Sequence, residues 1–166
     1  MQNIILIGFM ACGKSTLGKK LANKMNFEFI DTDQEIENNE HCSITEIFEK
    51  FGENHFRELE KKLLLSLQDK QNCVISTGGG LPCFNENMTL LNQIGTSFYI
   101  KLNPIELSKR ILNAKTIRPL AKGKSQDEVY TFVKELLSKR EDFYAQAKFT
   151  LSGKEQNIKF IESKLF

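Results

Sequence analysis

Short apolar runs alternate with longer amphipathic segments along most of this 166-residue chain. The short runs are rich in Ile, Leu, Val and Phe, a pattern typical of strands that are buried on both faces. The longer segments place apolar residues three or four positions apart, which indicates helices with one buried face. Strands are predicted at Asn3–Ile7, Phe27–Asp31, Cys73–Thr77, Ser97–Leu102 and Lys148–Leu151.

Helix start and stop signals divide the remaining chain. Two capping boxes, Ser43-Ile-Thr-Glu46 and Ser125-Gln-Asp-Glu128, and the pair Asn103-Pro104 mark helix beginnings, and Gly52 marks an end. Helices are predicted at Lys14–Met25, from Ser43 to about Phe51, at His55–Asp69, from Pro104 onward, and from Ser125 to about Ala147. Because strands and helices alternate, the chain is expected to form parallel βαβ units in a three-layer α/β domain.

Composition and charge narrow the class of protein. A length of 166 residues with 40% hydrophobic and 27% charged residues predicts one globular domain, residues 1–166. The net charge of +2 disfavours a nucleic-acid binder, and the longest apolar runs fall short of the ~20 residues that span a bilayer. No signal peptide is predicted, and the four cysteines lack CxxC spacing. We therefore expect a cytoplasmic protein with reduced thiols.

The stretch GFMACGKST, from Gly8 to Thr16, fits the phosphate-loop pattern G-x4-G-K-[ST] between a predicted strand and a predicted helix. Its glycines allow successive backbone N–H groups to face phosphate oxygens at a helix N-terminus. Lys14 is expected to reach the β- and γ-phosphates, Ser15 to ligate Mg²⁺, and Thr16 to hold the α-phosphate. The ATP-binding residues predicted in this loop are Ala11, Cys12, Gly13, Lys14, Ser15 and Thr16.

Candidate acceptor residues follow two other strands. Asp31 and Asp33 end the second strand, and if the chain stays extended their carboxylates face the same side. The alternative is a turn with two solvated acids. Gly78, Gly79 and Gly80 end the third strand and offer exposed N–H groups, or form a flexible turn.

Two arginines suggest an anionic acceptor. Arg140 falls within an apolar stripe on the last long predicted helix, where a guanidinium needs an anionic partner unless it extends past the core edge. Arg57 has Glu60 three residues later to orient it, although a solvated surface ion pair fits the same spacing. A carboxylate is the natural ligand for a pair of guanidinium groups.

Two further features of the sequence carry predictions. The polar, basic segment from Asn113 to Gln126 is predicted to form a lid over the phosphates, at about 113–125; the alternative is a solvated surface loop.

Cys12 lies beside Lys14 near a helix N-terminus, so we expect it to react with alkylating agents faster than Cys73, which a strand should bury.

The motifs GFMACGKST, FIDTD, FRELE, STGGG, RPL and SKREDFY resemble, in order and spacing, those of the shikimate kinase family over nearly the whole chain. The resemblance implies a five-stranded parallel sheet of the P-loop nucleoside-monophosphate-kinase type, with a substrate-binding region at about 33–60. It also implies transfer of the γ-phosphoryl group of ATP to the 3-hydroxyl of shikimate, with Mg²⁺ as the cofactor, in the pathway to chorismate and aromatic amino acids.

The resemblance also implies roles for single residues. Catalysis would rest on Asp33, Lys14 and Arg118: Asp33 would bind the shikimate hydroxyls and take the proton, and Arg118 in the lid would reach the phosphates. Asp31 would hold Mg²⁺ through water, together with Ser15. Arg110 would pack on adenine. Shikimate itself would be bound by Asp33, Arg57, Gly78, Gly79, Gly80 and Arg140.

Two alternatives stay open at the level of sequence. One is another P-loop kinase, with gluconate or a nucleoside monophosphate as acceptor, and the other is a nucleotide-binding module without turnover. A pure binding module would not need an acid on the acceptor side such as Asp33. ATP and shikimate are the expected partners of a monomer that binds neither nucleic acid nor membrane.

Overall fold

A computed structural model of the chain describes residues 2–114 and 123–165. Within these residues, five parallel strands form one sheet in the order β2-β3-β1-β4-β5. All five predicted strands are confirmed, with ends that differ by at most two residues. The strands are β1 (Asn3–Ile7), β2 (Glu28–Asp31), β3 (Cys73–Ser76), β4 (Gly95–Lys101) and β5 (Phe149–Ser152).

Seven α-helices lie in the part of the chain that the structure describes. They are α1 (Lys14–Met25), α2 (Thr32–Glu40), α3 (Ile44–Ser66), α4 (Asn87–Ile94), α5 (Pro104–Leu112), α6 (Gln126–Tyr144) and α7 (Ile158–Leu165). Both predicted capping boxes are present, at Ser43 and Ser125. Within α3, Gly52 has φ 80° and ψ 173°, so the helical geometry breaks where the sequence predicts a stop.

The sheet is covered on both faces. Every residue of β1 and β3 is buried, which is the pattern of central strands in a three-layer α/β fold. Helix α1 packs on β1, β2 and β3, α4 packs on β4, and α5 packs against α6. The predicted α/β class is therefore confirmed. Among the residues described, no helix combines the length and the apolar character needed to cross a membrane.

Strand order brings the predicted motifs to one edge of the sheet. Strand β3 lies between β2 and β1, and Ser76 at its end is in register with Asp31 on one side and Leu6 on the other. The phosphate loop follows β1, Asp31 is the last residue of β2, and the three glycines come after β3. These three segments therefore meet at the carboxyl ends of adjacent parallel strands, where α/β proteins bind ligands.

Candidate active site

The phosphate loop takes its shape from two glycines with positive φ. Gly8 has φ 143° and Gly13 has φ 105°, and a side chain at Gly8 would also collide with the Ile100 carbonyl. The Lys14 ammonium donates to the carbonyls of Gly8 at 2.8 Å and Phe9 at 2.9 Å, and Lys14 is only 7% exposed. These contacts fix the ammonium inside the curve of the loop.

Cys12 is buried within the phosphate loop. Its sulfur lies 3.6 Å from the Lys14 ammonium, and its side chain packs beside Gly8. Cys12 is 2% exposed and Cys73 is 1% exposed. The accessibility that the alkylation prediction assumed for Cys12 is therefore wrong, because the loop packs the whole residue into the core.

Three oxygen-bearing side chains meet where α1 begins. The Ser15 hydroxyl donates to the Asp31 carboxylate at 2.7 Å and lies 3.3 Å from the Ser76 hydroxyl. Hydroxyl and carboxylate oxygens are the ligands that Mg²⁺ prefers, either directly or through water. The donor set thus fits the metal that the sequence predicts at Ser15 and Asp31, and it adds Ser76, which is 1% exposed.

The expectation of an extended chain through both aspartates is wrong. Thr32 begins α2, and Asp33 lies in its first turn, where a carboxylate is favoured by the helix dipole. The Thr32 hydroxyl accepts a hydrogen bond from the Gly78 N–H at 2.8 Å. A methyl group at Gly78 would collide with the Asp33 carboxylate. Helix α2 and the glycine segment therefore hold each other in place.

A cavity of about 330 Å³ joins these parts. Its walls come from the phosphate loop and the start of α1, and from Thr77, Gly79 and Ala114. Asp31 and Asp33 both face it, although they reach it from a strand end and a helix start. The structure therefore brings Lys14, Ser15, Thr16 and the two aspartates to one cavity.

Arg57 borders the glycine segment from the side of α3. It donates to Glu60 at 2.7 Å and to Glu53 at 2.8 Å, and its guanidinium stacks 4.0 Å from the Phe84 ring centre. A methyl group at Gly80 would lie 2.9 Å from both terminal nitrogens of Arg57. Glu60 orients Arg57 as the spacing predicts, and the 12% exposure of the Arg57 side chain argues against a solvated surface pair.

Glu60 is buried behind this arginine. Burial raises the pKa of Glu60 to about 7, and the hydrogen bond and charge of Arg57 act in the opposite direction. The charge of Asp33 raises this pKa further, and that of Arg140 lowers it. The carboxyl of Glu60 is thus electrostatically linked to all three charged residues predicted on the acceptor side.

Arg140 borders the glycine segment from the side of α6. Its guanidinium stands 5.8 Å from the Phe9 ring centre, and a methyl group at Gly79 would lie 3.6 Å from one of its nitrogens. The side chain is half-buried, as its place in the apolar stripe of α6 predicts. Phe143, included in that stripe, is 38% exposed because α6 ends at Tyr144 and presents only part of its last turn to the core.

Of the two arginines predicted to bind the nucleotide, Arg110 lies within the residues that the structure describes and Arg118 does not. Arg110 is exposed on α5 and donates to the Cys12 carbonyl at 3.1 Å, so it contacts the phosphate loop. Its contact with adenine stays a prediction. Arg118 and most of the predicted lid lie outside the residues that the structure describes.

Sequence reasoning missed three residues with contacts in this site. Ser76 could have been found from its place at the end of a buried strand. Thr32 stands between the two aspartates, and only the structure shows that its hydroxyl binds Gly78. Tyr144 donates to the Gly79 carbonyl at 2.5 Å, but the sequence pattern predicts only that it belongs to the apolar stripe of α6.

Comparisons with known proteins agree with this geometry. The family model described as shikimate kinase matches residues 10–165. The shikimate kinase of Azobacteroides pseudotrichonymphae is 46% identical over 166 residues, which cover 99% of this chain and 98% of that protein. The shikimate kinase of Bacteroides thetaiotaomicron is 43% identical over 155 residues, which cover 93% of this chain and 89% of the relative.

Solved structures lead to the same family. The crystal structure of shikimate kinase from Bacteroides thetaiotaomicron has a TM-score of 0.92 at 39% identity, covering 99% of this chain and 98% of that chain. Shikimate kinase from Acinetobacter baumannii in complex with shikimate has a TM-score of 0.85 at 31% identity, covering 99% and 90%. Deoxyadenosine kinase from M. mycoides, at 18% identity and a TM-score of 0.59, shares the fold alone. The chain belongs to the shikimate kinase family.

Proposed function

We propose that this protein is an ATP-dependent shikimate kinase, which transfers the γ-phosphoryl group of ATP to the 3-hydroxyl of shikimate. The products are ADP and shikimate 3-phosphate. Phosphoryl transfer requires in-line placement of donor and acceptor and stabilisation of the charge on the transferred oxygens, with little covalent chemistry from the protein.

One observation carries this proposal. At Gly79 the phosphate loop and an acceptor-side arginine come together: a methyl group there would lie 3.2 Å from the Met10 amide nitrogen and 3.6 Å from a guanidinium nitrogen of Arg140. Arg57 approaches the adjacent Gly80 from α3. A small acceptor held through a carboxylate between these arginines would therefore sit next to the terminal phosphate of a nucleotide in the loop.

The donor side would hold ATP through the backbone N–H groups of the phosphate loop and the N-terminus of α1. Lys14 exchanges its carbonyl contacts at Gly8 and Phe9 for β- and γ-phosphate oxygens in this proposal. Its charge, with that of Arg118 from the predicted lid, stabilises the transferred group. Closure of the lid would exclude water, which otherwise competes as an acceptor.

Ser15, Asp31 and Ser76 are the residues that would hold Mg²⁺. Their hydrogen-bonded hydroxyl and carboxylate oxygens suit a hard cation that keeps several waters. When bound, Mg²⁺ neutralises charge on the β- and γ-phosphates. Asp31 then orients water and the Ser15 hydroxyl, because its carboxylate already accepts from that hydroxyl at 2.7 Å.

Asp33 is the proposed base. The first turn of α2 holds its carboxylate against Gly78, facing the cavity that the phosphate loop lines. In this position it accepts a hydrogen bond from the shikimate 3-hydroxyl and removes the proton as the new P–O bond forms. Arg57 and Arg140 bind the carboxylate, which fixes the ring so that this hydroxyl faces the γ-phosphate.

A coupled ADP-release assay with a panel of acceptors tests the proposal. The panel contains shikimate, gluconate, AMP and no acceptor, each with ATP and Mg²⁺. We expect ADP release that depends on shikimate, with little release in the other reactions. Equal or faster release with gluconate or AMP would overturn the proposal, and tight ATP binding without ADP release would indicate a binding module.

A further inference from the structure

The hydroxyl of Tyr144 contacts the acceptor loop at Gly79. Tyr144 is the last residue of α6 and is 0% exposed, and its hydroxyl donates to the Gly79 carbonyl at 2.5 Å. The Gly79 carbonyl is partly buried, and this hydrogen bond fixes the orientation of the peptide that it ends on. Tyr144 therefore sets the conformation of the segment where phosphate loop and arginine meet.

The same helix carries the arginine that faces this glycine. Tyr144 follows Arg140 by four residues, so both side chains project from one face of α6. Burial raises the pKa of the Tyr144 hydroxyl above its ordinary range, and both the charge of Arg140 and a side-chain hydrogen bond with it oppose that rise. The hydroxyl is thus a neutral donor that stands beside the Arg140 guanidinium.

The last turn of α6 is itself tied to the sheet. The Tyr144 ring packs on Tyr99 of β4, with 5.2 Å between ring centres. Glu141 pairs with Lys101 of β4 at 2.6 Å, and this ion pair ties the helix end to the sheet even without the hydrogen bond that the Tyr99 hydroxyl donates to Glu141 at 3.1 Å. Arg140 is therefore presented from a helix end with few degrees of freedom, and Tyr144 extends that rigid frame to Gly79.

We propose that Tyr144 is a positioning residue for the acceptor, which fixes the Gly79 peptide relative to Arg140 through its hydroxyl. Removal of this hydroxyl frees the Gly79 peptide to rotate. The N–H groups of the glycine segment and the Arg140 guanidinium can then no longer bind the same acceptor carboxylate together. The ATP side does not depend on this bond, because Tyr144 contacts neither Lys14 nor the start of α1 through it. The inference rests on the proposed function.

The test compares Tyr144→Phe with Tyr99→Phe. Both variants lose one hydroxyl from the same buried ring pair, but only the first loses the bond to Gly79. For Tyr144→Phe we expect kcat/KM for shikimate to fall about 10-fold or more, with KM for ATP within about two-fold of wild type. Tyr99→Phe should keep both values within about three-fold. Thermal unfolding of each variant, with and without shikimate, reports its folding.

An acceptor without the carboxylate separates positioning from a general loss of structure. With shikimate reduced to the primary alcohol, wild type and Tyr144→Phe should differ by less than about three-fold, because the contact that the hydroxyl aligns is gone. Equal losses with both acceptors, or equal losses in Tyr144→Phe and Tyr99→Phe, would overturn the inference. If Tyr144→Phe fails to fold, Thr32→Val, which frees the adjacent Gly78 N–H, must show the same shikimate-specific loss for the inference to stand. Absence of shikimate-dependent turnover in the wild type would instead overturn the proposed function.

Discussion

The guanidinium of Arg57 donates to the carboxylate of Glu60 at 2.7 Å, although only 1% of the Glu60 side chain is exposed. Burial disfavours the charged form of a carboxyl, and here it outweighs the attraction of Arg57, so the pKa of Glu60 rises to about 7. Glu60 thus changes charge near neutral pH directly behind an arginine that we assign to acceptor binding.

This buried carboxyl should give the free energy of unfolding a pH dependence. The pKa of Glu60 is about 7 in the folded protein, above its ordinary value of 4.5, so the folded state binds more protons than the unfolded state between these values. The cost of burying the ionised group is absent below about pH 4.5 and complete above about pH 7. Stability therefore falls as pH rises through this window, by at most ~1.4 kcal/mol per pH unit.

Urea unfolding of wild type and Glu60→Gln between pH 4.5 and 8 checks this dependence. The stability of wild type relative to Glu60→Gln should fall as pH rises through the window. Glu58→Gln is the matched control, since Glu58 is an exposed carboxyl on the same helix, and its difference from wild type should stay flat. Parallel pH profiles for wild type and Glu60→Gln would contradict the assignment.

Asp33→Asn should retain ATP binding and lose nearly all phosphoryl transfer. The amide keeps the size of the side chain in the first turn of α2 but cannot accept the proton from the acceptor hydroxyl. Loss of a general base typically lowers the rate ~10²–10⁴-fold. Steady-state kcat and a separate titration with ATP measure the two effects, and a kcat close to that of wild type would rule out Asp33 as the base.

Arg140→Lys should lower kcat/KM for shikimate and leave the binding of ATP nearly unchanged. Lysine keeps the charge but lacks the planar fork that binds a carboxylate through two hydrogen bonds. We expect kcat/KM for shikimate to fall roughly 30- to 1000-fold, which corresponds to about 2–4 kcal/mol, with KM for ATP changed by no more than a few-fold. Lys139→Gln, an exposed neighbour on α6, is the control. A comparable loss for ATP would move Arg140 to the nucleotide side or to the core.

Ser76→Ala should raise the Mg²⁺ concentration that gives half-maximal activity. The Ser76 hydroxyl lies 3.3 Å from that of Ser15, and loss of a group that orients metal ligands typically costs about 10-fold or more in metal affinity. Ser108→Ala is the matched control, because Ser108 is equally buried but donates to Pro104 within α5. Identical Mg²⁺ dependence in Ser76→Ala and wild type would place Ser76 outside the metal site.

The sequence predicts the sheet better than it predicts the short helices. Strand β1 matches its prediction at both ends, because a run of apolar residues between a polar residue and a glycine leaves little ambiguity. Helix α2 was not predicted, since TDQEIENNE is almost entirely polar and shows no apolar period. The backbone conformation expected at Asp33 is wrong for the same reason, although its carboxylate faces the same cavity as that of Asp31, as predicted.

The parts of the candidate site that could be predicted are those that belong to a sequence motif with a known chemical role. The phosphate loop, with Lys14 and Ser15, follows from glycine and lysine spacing alone. Contacts that depend on packing between distant segments could not be predicted, as the bond from Tyr144 to Gly79 illustrates: 65 residues separate its two ends. The burial of Cys12 escaped prediction for the same reason, since the direction of its side chain depends on how the loop packs on the sheet.

The identity of the phosphorylated product tests the proposed function most directly. Equal amounts of ATP and shikimate would be incubated with Mg²⁺ and the wild-type protein. The product would then be examined by ³¹P and ¹H NMR. We expect one phosphate ester, coupled to the proton on carbon 3 of the shikimate ring, to appear in equal amount to ADP. Phosphate released to water without an ester, or an ester at another hydroxyl as the main product, would contradict the placement of the 3-hydroxyl between Asp33 and the phosphate loop.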